Sequence, residues 1–194
     1  MFEYIKGPIA ELTPANIVVD CTGVGYYVNI SLQTYSSFEG KKEALVYLHQ
    51  VIREDAHLLF GFATKEEREL FRLLISVSGV GANTARVILS SMSAAEIQKV
   101  IMQADINALK QIKGIGLKTA QRIVVDLKDK VSGKDLGSPQ LFTSINNTTR
   151  HEALSALVML GFNKSAAEKV IDQLLKTDNT QSVEGLIKLA LKQL

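Results

Sequence analysis

Two copies of a short glycine motif, whose first glycines lie 35 residues apart, are the part of this chain best suited to bind phosphate groups. The first copy spans residues 77–85, the second spans 112–120, and the two align without a gap. An apolar helical pattern precedes each Gly-x-Gly pair and another follows it, which predicts a helix, a tight turn and a second helix, twice. Glycines let another molecule approach the main chain, and the start of the second helix offers free N–H groups to an anion.

The predicted phosphate contacts are the residues of the two turns and the polar or cationic side chains just beyond them. They are Ser78, Gly79, Gly81, Asn83, Thr84 and Arg86 in the first copy, and Lys113, Gly114, Gly116, Lys118, Thr119 and Arg122 in the second. Two such units could hold two phosphates of one DNA strand, or one phosphate on each strand, without reading a base. A pair of turns that only packs helices together remains an alternative. A nucleotide-binding loop is disfavoured, because neither copy has a preceding strand, a third glycine or a Gly-Lys-Ser/Thr ending.

The distribution of charge supports the phosphate-binding interpretation. Residues 1–62 carry four Lys/Arg and seven Asp/Glu, residues 63–135 carry twelve and eight, and residues 136–194 carry six and five. The positive segment therefore coincides with the glycine repeat, as a binder of nucleic-acid backbone requires.

A second unusual feature is an acidic pair between two apolar strands. Arg53, Glu54 and Asp55 form a charged hairpin tip without Gly, Pro or Asn. A charged tip is by default simply solvated. In a protein built to hold phosphate, two adjacent carboxylates would be useful only if repulsion of phosphate is useful.

The sequence gives little support for a disulfide, a metal site or a catalytic site. Cys21 is the single cysteine, which excludes an internal disulfide, and we expect it to be a small core residue. The three histidines have no Cys or carboxylate partners at metal-ligand spacing. Asp126 and Asp129 alternate with lysines on one predicted helix, which is typical of a solvated face. We therefore predict no metal, no cofactor and no catalytic triad.

The elements that position these residues differ along the chain. Five short runs rich in β-branched and aromatic residues fill the first 62 residues and predict a small closed barrel, for which the OB-fold is the commonest design with a nucleic-acid role. A barrel that serves only as a scaffold is the alternative. The motif Gly23-Val24-Gly25 is flanked by strand-like residues, so it predicts only a hairpin turn.

The C-terminal third predicts a linker and three short helices. The linker is polar and contains Gly, Pro, Ser and Asn without periodicity. Capping-box patterns begin the first two helices at Thr149 and Ser165, Gly161 ends the first, and Ser182 caps the third. This part lacks a dense basic face, so we expect a protein-docking module.

Composition indicates an intracellular protein. Hydrophobic residues make up 46% of the 194 residues, and no apolar run approaches the ~20 residues that a membrane span requires. Residues 1–6 lack the basic segment and long apolar run of a secretion signal. We expect a cytoplasmic protein that does not bind membranes.

Taken in order, the barrel with its acidic tip, the tandem Gly-x-Gly hairpins, the linker and the small helical domain resemble one bacterial family. The sequence is similar to the RuvA family, the Holliday-junction-binding subunits of the RuvAB branch-migration complex. The most specific segments are 51–56, 58–62 and 114–120. The resemblance implies an α+β multidomain fold with an OB-fold barrel at 1–63, a tandem helix-hairpin-helix domain at 64–132, a flexible linker at 133–148 and a three-helix, ubiquitin-associated-like domain at 149–194.

The resemblance also implies function. Members of the family form homotetramers on the junction, sometimes two enclosing it, and the hairpins grip minor-groove phosphates. Carboxylates matching Glu54 and Asp55 form an acidic pin that helps part the strands, and the C-terminal domain contacts the hexameric RuvB ATPase. The RuvC resolvase is a further candidate partner. The residues expected to meet RuvB are Leu160, Phe162, Leu186 and Leu191, of which some must instead fill the small core.

One position departs from the family pattern, because Asn83 stands where the first hairpin usually carries a lysine. Arg86 could substitute for the missing charge, and the second hairpin should be the stronger contact. Two other function classes stay open, namely a helix-hairpin-helix nuclease or glycosylase and a pure protein-interaction scaffold.

Overall fold

The N-terminal strands alternate buried and exposed side chains and close into a barrel. In this computed structural model, which describes residues 2–132, 145–177 and 182–194, the barrel order is β1-β2-β3-β5-β4. Neighbouring strands are antiparallel except β3 and β5, which are parallel. The strands are β1 (Tyr4–Leu12), β2 (Asn16–Cys21), β3 (Val24–Ile30), β4 (Glu43–Ile52) and β5 (His57–Phe62). The predicted five-stranded OB-fold barrel is confirmed.

Inward-facing aliphatic side chains fill the barrel, and the turn chemistry closes it. Ile17, Val28 and Val46 are fully buried in the barrel core. At Gly61 a Cβ would lie 2.5 Å from Val46 Cγ1, so only glycine fits this point of β5. The β2–β3 turn lies at Thr22–Gly23, and Val24 already belongs to β3. The hairpin turn expected at the Gly-Val-Gly motif is therefore confirmed, with Gly23 in the turn and the next two residues in β3.

A short helix that the sequence patterns did not predict joins the barrel to the helical region. Helix α1 (Leu32–Phe38) follows β3 and is capped by Ser31, whose Oγ accepts from Thr34 N. The hydroxyls of Ser31 and Thr34 donate to the buried carboxylate of Glu67 at 2.6 and 2.8 Å, and Ala63 N donates to it at 3.2 Å. This buried network ties the barrel to α2 (Lys65–Ile75).

The helical region continues the same compact unit, Met1–Ser138. Its further helices are α3 (Ala82–Ser91), α4 (Ala94–Met102), α5 (Ile106–Lys110) and α6 (Leu117–Ser132). One apolar core spans these helices and the barrel wall, where Phe71 of α2 packs on Phe60 and Phe62 with ring centroids 5.3 and 4.9 Å apart. The helices that carry the glycine turns are therefore fastened to the barrel by packing and by hydrogen bonds.

The second unit, Pro139–Leu194, has its own small core. Its described helices are α7 (Ile145–Met159), α8 (Lys164–Thr177) and α9 (Val183–Ala190). Leu157, Ile171 and Leu186 are fully buried there. Gly161 ends α7 with a φ of +98°, Phe162 N donates to Leu157 O and Gly161 N to Val158 O, which is a Schellman ending.

Two of the three predicted helix starts in this unit are wrong. Helix α7 begins at Ile145, four residues before Thr149, because a Ser/Thr-x-x-Glu pattern is tolerated inside a helix when the preceding residues also adopt helical angles. Helix α8 is capped by Asn163, whose Oδ1 accepts from Ser165 N and Ala166 N. The Ser182 cap of α9 is confirmed, since its Oγ accepts from Gly185 N.

The linker prediction is only partly within the described chain. Residues 133–144 lie outside the described residues, and Ile145–Thr148 form the first turn of α7. The division of residues 1–132 into a barrel and a hairpin domain, with its boundaries, stays a prediction.

Candidate nucleic-acid interface

The two glycine turns have the same backbone conformation. The first glycine of each pair is left-handed, with φ of +92° at Gly79 and +91° at Gly114, a region that favours glycine because it has no Cβ. The backbone hydrogen bonds that close the two turns match as well, since Val80 N donates to Val77 O at 3.0 Å and Ile115 N to Ile112 O at 3.1 Å. The repeat in sequence is therefore a repeat in structure.

The second glycine of each pair stands at the start of a helix, and the space beside its Cα is open. Gly81 is the N-cap of α3 and provides no side-chain cap. The first helical bonds are Ala85 N to Gly81 O and Ala120 N to Gly116 O, both 2.9 Å, so earlier N–H groups of each helix lie outside the ladder. A Cβ at Gly81 or Gly116 would meet no atom within 4 Å. Both helix starts can therefore be approached by a bulky anion.

Buried apolar side chains on either side of each turn pack it against the protein core. Val77, Val80 and their counterparts Ile112 and Ile115 are at most 5% exposed. Ser78 and Lys113, which lie between them, are exposed. Packing thus fixes the turn while its polar side chains and glycines remain at the surface.

The two hairpins lie next to each other. Arg122 of α6 donates from Nη1 to Ser78 Oγ of the first turn at 3.2 Å. A Cβ on Gly79 would stand 3.9 Å from Thr119 Oγ1 at the start of α6. Sequence spacing alone does not show this proximity. It would allow both turns to contact phosphates of one stretch of DNA backbone.

The predicted cations differ in what they contact. Lys113, Lys118 and Arg122 are exposed, and within the described residues neither lysine forms an ion pair. Arg86 instead lies against the barrel, where its Nη1 donates to Ala15 O and Asn29 Oδ1, both at 3.2 Å. Asn83 is exposed and Thr84 half-buried at the start of α3. The more open cationic surface therefore belongs to the second hairpin.

The acidic tip projects from the barrel between β4 and β5. Arg53 N donates to Ala56 O at 2.8 Å and closes the turn. Glu54 and Asp55 are exposed, and neither carboxylate forms an ion pair or side-chain hydrogen bond anywhere in the described part of the chain. Their negative charges are thus not neutralised by a protein partner there.

The four residues predicted to meet RuvB do not share one environment. Leu160 is 62% exposed and Leu191 43% exposed, whereas Phe162 is half-buried against the small core. Leu186 is fully buried, so among the four candidates it is one that fills the small core and not one that meets a partner of the folded domain. Met159 is 86% exposed, which no pattern in the sequence indicates.

An arginine holds two helices of the C-terminal unit together. Arg150 of α7 donates from Nε and Nη2 to Asp172 of α8 at 2.6 and 3.0 Å, and from Nη2 to Glu168 at 3.1 Å. These carboxylates, above all Asp172, raise the pKa of the Arg150 guanidinium further above its usual range. Sequence patterns carry no signal for this pairing, because the partners lie on different helices.

The described residues offer neither a metal site nor a membrane span. Among them, no group of three or more His, Cys, Asp or Glu side chains is arranged to hold a metal ion. No helix in the same residues is long and apolar enough to cross a membrane. Asp126 and Asp129 lie on the exposed face of α6, as expected.

Comparison with known proteins covers the whole chain. Three family models match it in succession: the RuvA N terminal domain over residues 1–61, a SAM-like helix-hairpin-helix tandem over 71–129, and the RuvA C-terminal domain over 148–194. Relatives described as Holliday junction branch migration complex subunit RuvA occur in Bacteroides thetaiotaomicron (52% identical over 201 residues), Christiangramia forsetii (50% over 194) and Parabacteroides distasonis (54% over 196). In each case all of this chain and all of the relative are covered.

Proposed function

The chain belongs to the RuvA family, and on that premise we propose that it binds four-way DNA junctions as the non-catalytic subunit of a branch-migration complex. Its relatives are named as subunits of such a complex over their full length. The activity proposed for this chain is therefore to bind and hold the junction, while an ATPase partner supplies the motion.

The observation that carries this proposal is the paired hairpin. Two turns with φ of +92° and +91° lie side by side, and the glycine that precedes each following helix has open space at its Cβ position. A phosphate at such a helix start gains hydrogen bonds and a favourable dipole. Because no base is read, one surface serves every junction sequence, which suits a crossover point that moves along DNA.

We propose that the phosphate contacts come from the exposed turn residues, the helix N–H groups and nearby cations. In the second hairpin the cations are Lys113, Lys118 and Arg122, and in the first hairpin Asn83 offers only an amide donor. The second hairpin should therefore supply the larger share of the electrostatic affinity.

The acidic tip has a separate proposed role at the centre of the junction. In a tetramer, Glu54 and Asp55 from four subunits would place eight carboxylates near converging phosphates. Charges within a Debye length of ~8 Å are only partly screened, so repulsion would favour separated strands. The support is that both carboxylates are exposed and, within the described residues, have no protein cation to neutralise them.

The proposed assembly is a homotetramer, in octamer form when two tetramers enclose the DNA, with RuvB as motor and RuvC as a further partner. The C-terminal unit is the proposed RuvB contact, through exposed apolar side chains such as Leu160 and Leu191. Residues 1–63 and 64–132 are proposed as two domains, residues 133–144 as a linker, and the third domain, expected at 149–194, begins with α7 at Ile145.

Binding assays with three DNA forms test the proposal. Gel shifts should show a preference for four-way junctions over duplex and single-stranded DNA, with affinity that falls steeply with salt because phosphate contacts release counterions. Lys118→Gln should weaken binding to all junction sequences alike. Lys99→Gln, the same charge change at an exposed residue of α4, is the matched control and should have little effect.

The alternatives give different results in the same assay. A nuclease or glycosylase would alter the DNA strands. A pure protein scaffold would show no salt-sensitive affinity. A change of sequence preference in Lys118→Gln would contradict binding through the backbone alone.

A further inference from the structure

Arg86 contacts the barrel although it lies one turn inside a helix that begins at a phosphate-binding turn. Its Nη1 donates to the backbone oxygen of Ala15, in the β1–β2 turn, and to the side-chain oxygen of Asn29 in β3, each at 3.2 Å. One guanidinium nitrogen therefore joins α3 to two separate elements of the barrel.

Asn29 is itself held in position. Its Nδ2 donates to Leu59 O of β5 at 3.1 Å, and its backbone lies opposite Phe60 in the parallel β3–β5 pairing. The acceptor offered to Arg86 is thus oriented by the sheet, and a well-oriented acceptor fixes the direction of a planar guanidinium.

A second contact lies one helical turn further along the same face of α3. Ser90 Oγ accepts from Leu32 N, the first residue of α1, at 3.1 Å, and donates to Arg86 O at 2.8 Å. Residues four apart on a helix share one face, so Arg86 and Ser90 together attach this face of α3 to the end of β3 and the start of α1.

The attachment reaches both hairpins. Helix α3 begins directly at the first turn, and Ser78 of that turn accepts from Arg122 of α6 at 3.2 Å. A connected path of hydrogen bonds and rigid helix therefore runs from the barrel through Arg86 and α3 to the first turn, and from there to the second.

We propose that Arg86 is a positioning residue, which sets the first hairpin relative to the barrel, and that it does not serve as a phosphate ligand. This inference rests on the proposed junction binding, since it concerns how the hairpins and the acidic tip are held at fixed separation. A four-way junction requires that separation, because the arms and the crossover are contacted together. Ordinary duplex, which meets only the hairpins, requires it less.

The test compares variants of Arg86 and of its acceptor in the full-length protein. The measured quantities are junction affinity, duplex affinity and their ratio, at a temperature at which melting curves show each variant folded. Arg86→Ala and Asn29→Ala should each lower the junction-to-duplex ratio about tenfold, the size expected from removing a hydrogen bond to a charged group. The double variant should be no worse than either single one, because both remove the same interaction.

Asn29→Asp separates the two roles of Arg86. Asp keeps the oxygen that accepts from Arg86, while it loses the bond to Leu59 just as Ala does. A positioning role predicts that Asn29→Asp retains the ratio and Asn29→Ala loses it. A phosphate-binding role predicts the opposite order, since the aspartate would hold the cation away from DNA and alanine would release it.

Lys118→Gln distinguishes failure of this inference from failure of the proposed function. It should reduce the slope of log affinity against log salt by about 0.9 for each DNA phosphate that the variant no longer neutralises. If Lys118→Gln behaves so and Asn29→Ala leaves the ratio at the wild-type value, the positioning role is refuted and junction binding stands. If the wild-type chain shows no preference for junctions, the proposed function and the positioning role are both refuted.

Discussion

The two glycines of each hairpin should respond differently to alanine, because one sets the backbone conformation and the other leaves room for the ligand. Gly79 and Gly114 have φ near +90°, whereas Gly81 has φ −86° and ψ 170°, which any residue adopts. An added Cβ would meet no atom closer than 3.9 Å at any of these positions. Packing clashes therefore do not enter the comparison.

For Gly79→Ala and Gly114→Ala, strain is the expected effect. A left-handed conformation costs a residue with a Cβ about 1–2 kcal/mol. In a unit of this size each kcal/mol corresponds to about 3–5 °C, so melting should occur about 3–10 °C lower. Gly40→Ala is the matched control, since Gly40 has φ +75° and open space before β4; it should lower the melting temperature and leave DNA binding intact.

For Gly81→Ala, stability should change by less than about 0.5 kcal/mol. Alanine restricts the unfolded chain, which stabilises by ~0.4–1 kcal/mol, and is a poorer N-cap than glycine by a similar amount. Junction binding should nevertheless fall at least about tenfold, since the methyl group would stand where a phosphate approaches and a hydrogen bond to a charged group contributes ~1.5–3 kcal/mol. Gly116→Ala should behave in the same way.

Thermal melting and junction gel shifts on the same samples decide the matter. Wild-type affinity in both Gly81→Ala and Gly116→Ala would refute close approach of DNA to the main chain. An unchanged melting temperature in Gly79→Ala would refute the conformational requirement at that glycine.

Three further predictions concern the acidic tip, the C-terminal unit and the half-buried His49. Glu54→Gln combined with Asp55→Asn should tighten binding to duplex and impair orderly branch migration, and unchanged duplex affinity would instead support a merely solvated tip. Leu160→Ser should lower capture of RuvB by the full chain without unfolding it. Leu186→Ala should instead lower stability by ~2–5 kcal/mol, because that side chain is fully buried. Equal RuvB capture by Leu160→Ser and wild type would count against a RuvB contact at Leu160. Burial, followed by Arg72 and Arg68, holds the pKa of His49 below its usual 6.5. Between the folded and unfolded pKa values the unfolded state therefore binds more protons, so the free energy of unfolding should rise with pH up to about 6.5. Urea denaturation should show a smaller change in that free energy between pH 5.5 and pH 7.5 in His49→Leu than in wild type, and an equal change in both would refute the assignment.

Much of this fold could be predicted from the sequence because its signals are local. Alternation of apolar residues predicts strands, and Gly-x-Gly between two apolar helical patterns predicts a helix-hairpin-helix. Glycine permits the left-handed angles at Gly79 and Gly114, although residue type alone does not require them, since Gly81 has φ −86°. The Ser182 cap is predictable for the same reason, since a cap depends on residues three positions apart.

Local patterns also misled where a neighbour along the chain offered a better solution. Thr149 and Ser165 fit capping boxes, but α7 begins earlier and Asn163 caps α8. Sequence patterns do not predict helix α1, because its seven residues carry little periodicity and it is stabilised by the Ser31 cap and by the carboxylate of Glu67, far along the chain.

Side-chain direction was decided by the tertiary structure alone. The position of Arg86 one turn into α3 predicts a phosphate contact, yet Ala15 and Asn29, more than fifty residues earlier in the chain, offer it oxygens on the barrel. Leu186 and Leu191 are both apolar residues of the last helical segment, but only Leu186 is buried. Residue type and spacing determine which groups are available and where backbone turns can form, whereas contacts between segments distant in sequence determine which of those groups remain free to meet a ligand.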